Sequence, residues 1–338
     1  MEKTKNKHTK FSFVIPVYNR LEEVEELLAS MVSQSVKDFE VIIVEDGSQI
    51  KCEEICKRYK KKVDLKYFFK ENTGPGKSRN YGVEKATGNY IIFLDSDCVL
   101  PNNYFEIVEA LIKKDFVDAF GGPDKAHKDF SLLQKAINYS MTSFFTTGGI
   151  RGGSEKVDKF YPRSFNMGYS IDVYKKTNGF SKMRFGEDID MSIRILENGF
   201  KTRLFKDAFV YHKRRTSLKQ FFKQVYNSGI ARINLYKRHP KSLKLVHFAP
   251  AGFTIGLLIL MIFSIIFPII FLLPILVHIA IIFIDSSFKN KSFNIGILSV
   301  LTSYIQLLGY GLGFIGALWK RLILNKKEYS AYIDNFYK

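Results

Sequence analysis

The run IIFLDSDCVLP, residues 91–101, leads four apolar residues directly into two carboxylates, Asp95 and Asp97, before Pro101 ends it. Carboxylates one residue apart at a strand end can hold a divalent cation, and a hard ion such as Mg2+ or Mn2+ favours a few protein oxygens plus substrate phosphates. Asp-Ser-Asp also serves as a plain turn cap. Its place after a buried strand favours the cation, because charge desolvated beside a core is costly unless something pairs it. A second acidic pair, Glu187-Asp188, follows Gly186 at a predicted helix start. It can complement the helix dipole or supply a general base for an acceptor hydroxyl. His212, in YHKRR, can complete the metal shell or touch phosphates. The stretch Asn72–Asn80, NTGPGKSRN, combines close-approach glycines, a helix N-terminus and the cations Lys77 and Arg79, a set that suits phosphate. The GxxxxGK[ST] spacing of a P-loop is absent.

These groups need a scaffold, and the hydrophobic periodicity supplies one. FSFVIPV (11–17), FEVIIVED (39–46), LKYFF (65–69) and YIIFL (90–94) read as strands. Helices are expected at 20–34, near 52–61 and near 77–87, with a further one at 131–143 and one entered by the 187–188 acids. Apolar strands alternating with helices predict an α/β fold with a mostly parallel sheet. Ligands in such sheets sit beyond the carboxyl ends of the strands. Pro16 to Asn19, Glu45 to Ser48, residues 72–80 and residues 95–97 would converge there on a rim sized for one nucleotide. The glycine-rich stretches GGP (121–123) and GGIRGG (148–153) read as connectors or as a loop carrying acceptor contacts.

The chain of 338 residues is 46% hydrophobic and carries a formal charge of +18. Residues 248–319 hold nearly all of one apolar tract, whose charges are Asp285, Lys289 and Lys291. That tract reads as a membrane region, so the excess positive charge is assigned to anionic lipid rather than to nucleic acid. The expected organisation is a disordered basic N-terminus (1–10), a catalytic domain (11–240), membrane segments at about 249–267, 268–286 and 293–319, and a basic tail (320–338). Residues 248–284 lack charge and suit a two-helix hairpin. Three full crossings would put the basic tail outside, against the positive-inside tendency; a single first crossing, or a third segment that re-enters or lies in the interface, would return it. Cys52, Cys56 and Cys98 form no metal-ligand quartet and read as packing residues in a reducing compartment. With no apolar h-region at the N-terminus, the expected location is the cytoplasmic membrane, multi-pass, with the catalytic domain facing the cytoplasm.

FSFVIPVYNR, VIIVEDGS, NTGPGKSRNYGVEKATGNYIIFLDSD and GFSKMRFGEDIDMSIRILENG together resemble the family-2 inverting glycosyltransferases of GT-A fold, in the family's order over roughly residues 11–212. The C-terminal part is similar to the membrane-attached subgroup that builds bacterial exopolysaccharide or lipid-linked glycans. The resemblance implies that Pro16 and Tyr18 flank the base, that Asp46 bonds the base or ribose, and that Arg79 and Lys77 face the diphosphate. It implies further that Asp95 lies near ribose and metal, that Asp97 ligates the metal, and that Asn166 lines the donor-sugar pocket. Asp188 is then the catalytic base, with Glu187 shaping the acceptor pocket. The implied partners are a nucleotide-sugar donor, UDP-sugar favoured, a glycan or lipid-linked acceptor and membrane lipids. The Q-x-x-R-W motif of processive synthases is missing, since Gln224 is followed by Val-Tyr-Asn-Ser. One sugar per encounter is therefore expected. The rival readings are a polyprenyl-phosphate glycosyltransferase, a sugar-nucleotidyltransferase and a non-catalytic membrane scaffold.

Overall fold

The structure is a computed structural model and describes residues 9–127, 129–148 and 160–329. In chain order its elements are β1 (Phe11–Val17), α1 (Leu21–Val32), β2 (Phe39–Asp46), α2 (Glu53–Tyr59), β3 (Asp64–Lys70), α3 (Pro75–Lys85), β4 (Tyr90–Leu94), β5 (Cys98–Val99), α4 (Tyr104–Lys114), β6 (Ala119–Gly121) and β7 (Asp124–Lys125). There follow α5 (Leu132–Thr142), α6 (Phe144–Thr147), β8 (Asn166–Ser170), α7 (Ile171–Thr177), α8 (Glu187–Glu197), β9 (Thr202–Leu204) and β10 (Val210–His212). The chain then continues into four long helices, α9 (Leu218–Arg238), α10 (Ala249–Phe263), α11 (Pro268–Asn290) and α12 (Phe293–Leu318).

Two compact units divide the described residues: one holds 9–125 and 160–212, the other 126–127, 129–148 and 213–329. In the first, seven strands lie in the order β3-β2-β1-β4-β8-β6-β9. The four N-terminal strands are mutually parallel and β8 runs antiparallel to both neighbours, so the sheet is the mostly parallel one that the apolar runs predict. The period-2 alternation of β1 sends Phe11, Phe13, Ile15 and Val17 to one face and Val14 to the other. α1, α2 and α4 cover the first face; α3, α7 and α8 cover the second. A buried Phe or Ile contributes roughly 1.5–3 kcal/mol, and with both faces covered every strand can be apolar throughout.

Three short strands form a second sheet, β5-β10-β7, in which His212 is registered opposite Cys98. This register brings the end of the domain back to the acidic turn after β4. At Gly82 a β-carbon would meet Val14 Cγ1 at 2.3 Å, so α3 lies close against β1 because that position has no side chain.

The second unit contains α5, α6 and α9–α12. α5 and α9 fall inside the region expected to belong to the catalytic domain, yet their apolar faces pack within the C-terminal unit. Ile137, Met141, Phe221 and Val225 form one cluster there, with Ile305 of α12 against it. The stretches Leu245–Phe263, Pro268–Asn290 and Phe293–Ile323 are long and apolar enough to cross a membrane. Pro268 opens α11 and Pro274 lies inside it. Residues 149–153 of the GGIRGG stretch, residues 1–8 of the basic N-terminus and the tail from 330 onward lie outside the described residues.

Candidate active site

The loops that follow the parallel strands build the site. Asn19 takes a left-handed conformation, φ 52°, and its side chain accepts a hydrogen bond from Gln49 N at 2.8 Å, while Asn19 N donates to Ser48 Oγ at 2.9 Å. The loops after β1 and β2 are thereby tied together, leaving Pro16 and Tyr18 half-buried at the rim. Gly47 has φ +74°, and a β-carbon there would collide with Asn72 N at 2.7 Å, so the loop after β3 can close onto it. Asp46, nearly buried, holds that closure: its carboxylate accepts from Thr73 N at 2.9 Å and Gly74 N at 2.8 Å and pairs with Lys70. Lys77, in the first turn of α3, is exposed.

Arg79 links the two acidic pairs. It is 2% exposed; Nη2 donates to Asp95 Oδ1 at 2.7 Å and Nη1 to Glu187 Oε1 at 3.0 Å, and the guanidinium lies 5.3 Å from the Phe180 ring centroid. Burial disfavours its charge, but Asp95 and Glu187 more than offset this and keep it cationic. Expected to face a diphosphate, the guanidinium is held between the carboxylates at the end of β4 and the start of α8.

Asp97 and His212 meet on the other side of Asp95. His212 Nε2 lies 3.1 Å from Asp97 Oδ1 and 3.9 Å from Asp95 Oδ2, with its ring stacked on Phe165 at 5.0 Å. Cys98 completes a group of three potential ligand atoms within 4.8 Å of one another. Burial, helped by the charges of Asp97 and Asp95, pushes the Cys98 thiol well up, which leaves it a neutral, soft and poor ligand for a hard cation. Carboxylate oxygens with one imidazole, by contrast, suit Mn2+ or Mg2+.

At the opposite wall, Gly186 adopts φ +85° and starts α8, whose first turn carries Glu187, Asp188 and Asp190 against the helix dipole. The Asp188 carboxylate accepts from Arg163 Nε at 2.5 Å and from Ile189 N at 2.8 Å. Burial opposes its ionisation, yet Arg163, reinforced by Arg79, holds it below the usual carboxylate range. Glu187 moves the other way: burial and then the Asp188 charge push it up to about 7, against the pull of Arg79. Neighbouring environments thus drive two adjacent carboxyls apart, as acid–base sites do.

Asn166, expected at the donor-sugar pocket, is fully buried at the start of β8. Its Nδ2 donates to Ala208 O at 2.8 Å and its Oδ1 accepts from Tyr104 O–H at 2.6 Å, so both ends of the carboxamide are engaged inside the protein. Sequence reasoning missed Arg163, which stands just ahead of SFNMGYS with nothing to mark it, and Arg20, whose pKa burial lowers but Asp97, Glu23 and Asp95 raise on balance, so that it stays cationic. A cation following PVYN was the available signal for Arg20.

Residues 12–177 match the family described as Glycosyl transferase family 2. An uncharacterized glycosyltransferase of Rickettsia bellii (strain RML369-C) is 28% identical over 253 residues, 74% of this chain. The chain spans 35% of that relative's length and 16% of two further rickettsial proteins. GalNAc(5)-diNAcBac-PP-undecaprenol beta-1,3-glucosyltransferase of Campylobacter jejuni is 26% identical over 218 residues, 64% of this chain and 66% of that protein. Among solved structures, mannosyltransferase PcManGT of Pyrobaculum calidifontis, in complex with GDP-Man and Mn2+, superposes with a TM-score of 0.67 at 13% identity, over 93% of this chain and 88% of that one. The sheet order, the rim and the family match define a GT-A-like α/β domain. Residues 12–177 are thus similar to family 2 glycosyltransferases, and three helices apolar enough to span a membrane follow them.

Proposed function

We propose that this chain is a membrane-associated, inverting, metal-dependent glycosyltransferase that moves a sugar from a nucleotide donor to a hydroxyl of a glycan or lipid-linked acceptor. The observation that carries the reading is the continuous chain of contacts from His212 and Asp97 through Asp95 and Arg79 to Glu187, beside Asp188. A candidate cation seat and a candidate proton acceptor are thereby fixed along one rim of the sheet.

Asp97, with Asp95 and His212, would hold Mg2+ or Mn2+, and a cation there would neutralise the departing nucleoside diphosphate. Pro16 and Tyr18 would pack against the base. A UDP-sugar is favoured, with Asp46 reaching the base or ribose through the loop it closes. Exposed Lys77 is free to approach the diphosphate, whereas Arg79 acts by positioning Asp95 and Glu187. Asn166 supports the sugar pocket from within, by fixing β8 to α4. Asp188, anionic and oriented by Arg163, takes the proton from the acceptor hydroxyl as that oxygen attacks the anomeric carbon. A single displacement inverts that centre.

Glu187 is the rival base, favoured by its pKa near the operating pH. A polyprenyl phosphate acceptor, already ionised, would need no base, so an intact acid pair supports a hydroxyl acceptor. The undecaprenol-linked substrate named for the Campylobacter relative is of this hydroxyl-bearing, lipid-linked kind. The apolar helices and the charge of +18 support attachment to the cytoplasmic membrane with the catalytic unit on the cytoplasmic side. The test is a donor-hydrolysis screen of the purified chain against a panel of nucleotide sugars, with and without Mn2+. Cleavage of one donor that depends on the metal is expected; no cleavage of any donor, with acceptor extracts added, would overturn the proposal.

A further inference from the structure

The packing of α9 to α12 bears on how the apolar region meets the bilayer. α12 runs antiparallel to α10, with Phe248 at Phe314 (5.1 Å between ring centroids) and Phe253 at Tyr304 (5.7 Å). It also runs antiparallel to α11, with His278 at Tyr304 (5.6 Å) and Ser286 Oγ at Ser299 Oγ (2.6 Å). α10 and α11 are antiparallel to each other, Phe263 meeting Phe271 at 5.3 Å and Phe253 meeting His278 at 5.5 Å. Three rods standing upright side by side cannot all be mutually antiparallel. The contacts are satisfied when the α10–α11 hairpin stands on the middle of α12 and its two feet splay in opposite directions along that helix.

The other flank of α12 is covered by polar helices. α9 runs parallel to it: Val225 abuts Gly309, Tyr226 O abuts Gly313, and Arg321 Nε donates to Asn234 Oδ1 at 2.9 Å. Thr302 Oγ1 donates to Ala136 O of α5 at 3.0 Å. α9 carries Lys219, Lys223, Arg232, Lys237 and Arg238, so a rod lying along α12 cannot share a place in hydrocarbon with it except at heavy cost. Burial divides the three candidates in the same way: 44% of the most apolar part of the α12 stretch is buried in the protein, against 6% and 11% for the other two. The hairpin tip is the reverse, with Ile265 and Ile269 each 82% exposed. From the contact at Tyr304 each arm runs about ten or eleven residues to the tip, roughly 15 Å, half of a hydrocarbon core about 30 Å thick.

We infer that the C-terminal region is monotopic: the α10–α11 hairpin dips into one leaflet of a phospholipid bilayer, and α12 lies in the interface beneath α5 and α9. The residues before α10, the turn before α12 and the basic stretch after it then share one side of the membrane. His278 and Tyr304, at the base of the hairpin, sit at headgroup depth, where an amphipathic ring is favoured. This arrangement answers the conflict that three crossings create with the basic tail. It rests on membrane attachment and is independent of the transferase reading.

The test uses the full-length chain in sealed right-side-out and inverted membrane vesicles, with single cysteines introduced as Lys241→Cys, Asn294→Cys, Lys327→Cys and Ile266→Cys, each at an exposed position. A membrane-impermeant maleimide is the probe, and the parent chain, with Cys52, Cys56 and Cys98 buried, gives the background. Positions 241, 294 and 327 are expected to label in the same vesicle orientation, and position 266 in neither until detergent is added. Labelling of 294 and 327 from opposite faces would show α12 crossing, and labelling of 266 from the face opposite 241 would show the hairpin crossing; either result overturns the inference. Labelling of 266 from the same face as 241 would show that the hairpin is not inserted, and overturns it as well. Recovery of the parent chain in the soluble fraction would defeat membrane attachment itself, leaving donor hydrolysis to judge the transferase.

Discussion

Replacing Asp188 by Asn tests the proposed chemistry most directly, because the change is nearly isosteric and its local effects can be worked out. The carboxamide oxygen can still accept from Ile189 N, now 2.8 Å from the carboxylate. Its amide then faces Arg163 Nε, a donor against a donor, in place of a 2.5 Å charge-assisted bond. Such a bond contributes about 1.5–3 kcal/mol, so a modest fall in stability is expected, short of unfolding. Losing a positioned proton acceptor lowers turnover by about 10²- to 10⁴-fold, equivalent to roughly 3–5 kcal/mol of barrier. Donor affinity, read by calorimetry with the nucleoside diphosphate, should change little. The variant also removes the negative charge beside Glu187, whose pKa should fall from about 7. The assay is steady-state turnover with donor and acceptor, paired with Glu187→Gln. Turnover within about threefold of the parent, in a folded variant, would refute Asp188 as the base. The pH profile separates the rivals with a definite sign. A base must be deprotonated, so activity rises with pH through its pKa. Asp188 is held below the usual carboxylate range and predicts a limb well on the acid side, whereas Glu187 predicts one near 7.

Further outcomes follow from the contacts described above and from Glu40. Arg79→Met leaves Asp95 and Glu187 without their shared cation; breaking a buried pair in this way should destabilise the fold by about 3–5 kcal/mol, measured by urea unfolding. His212→Ala should weaken Mn2+ binding by about 10- to 100-fold, and Asp97→Asn should abolish metal-dependent donor cleavage, as chelation should in the parent; isothermal titration with Mn2+ checks the first. Glu40, held at about 2 against an ordinary 4.5, keeps that value against burial through Lys66, Ser12 and Thr87. Its contribution is therefore complete above about pH 4.5 and is lost as pH falls towards 2. With Lys66 partly exposed, the effect is discounted to roughly 1–2 kcal/mol, and Glu40→Gln should flatten the acid limb of a stability-versus-pH curve by that amount.

Local pattern carried a large part of the architecture. FSFVIPV and FEVIIVED occupy the strands expected of them, residue for residue, because their apolar residues fall on both faces and are satisfied by a sheet covered on both sides. The Gly-Pro-Gly that opens α3 and the acids at the start of α8 likewise mark their helix starts, through the fixed φ of proline and the dipole. Partnership was beyond the reach of such patterns. Arg79 is 108 residues from Glu187, and no periodicity says that a cation placed to suit phosphate will be enclosed between two carboxylates. Arg163 was invisible for the same reason.

The amino-acid sequence by itself determined the parallel strands, the acids and basic loops clustered at their carboxyl ends, and an apolar C-terminal region, since each depends on residues a few positions apart and on the solvent they avoid. The tertiary structure alone decided which carboxyl is held below its ordinary range and which is pushed up, because that turns on burial and on the distance to Arg163 and Arg79. It alone paired His212 with Asp97, through the register of two short strands. It also gave α5 and α9 to the apolar unit, because a helix with one greasy face belongs to whatever surface that face covers, and the surface here is α12, contributed by residues some 80 to 170 positions further along the chain.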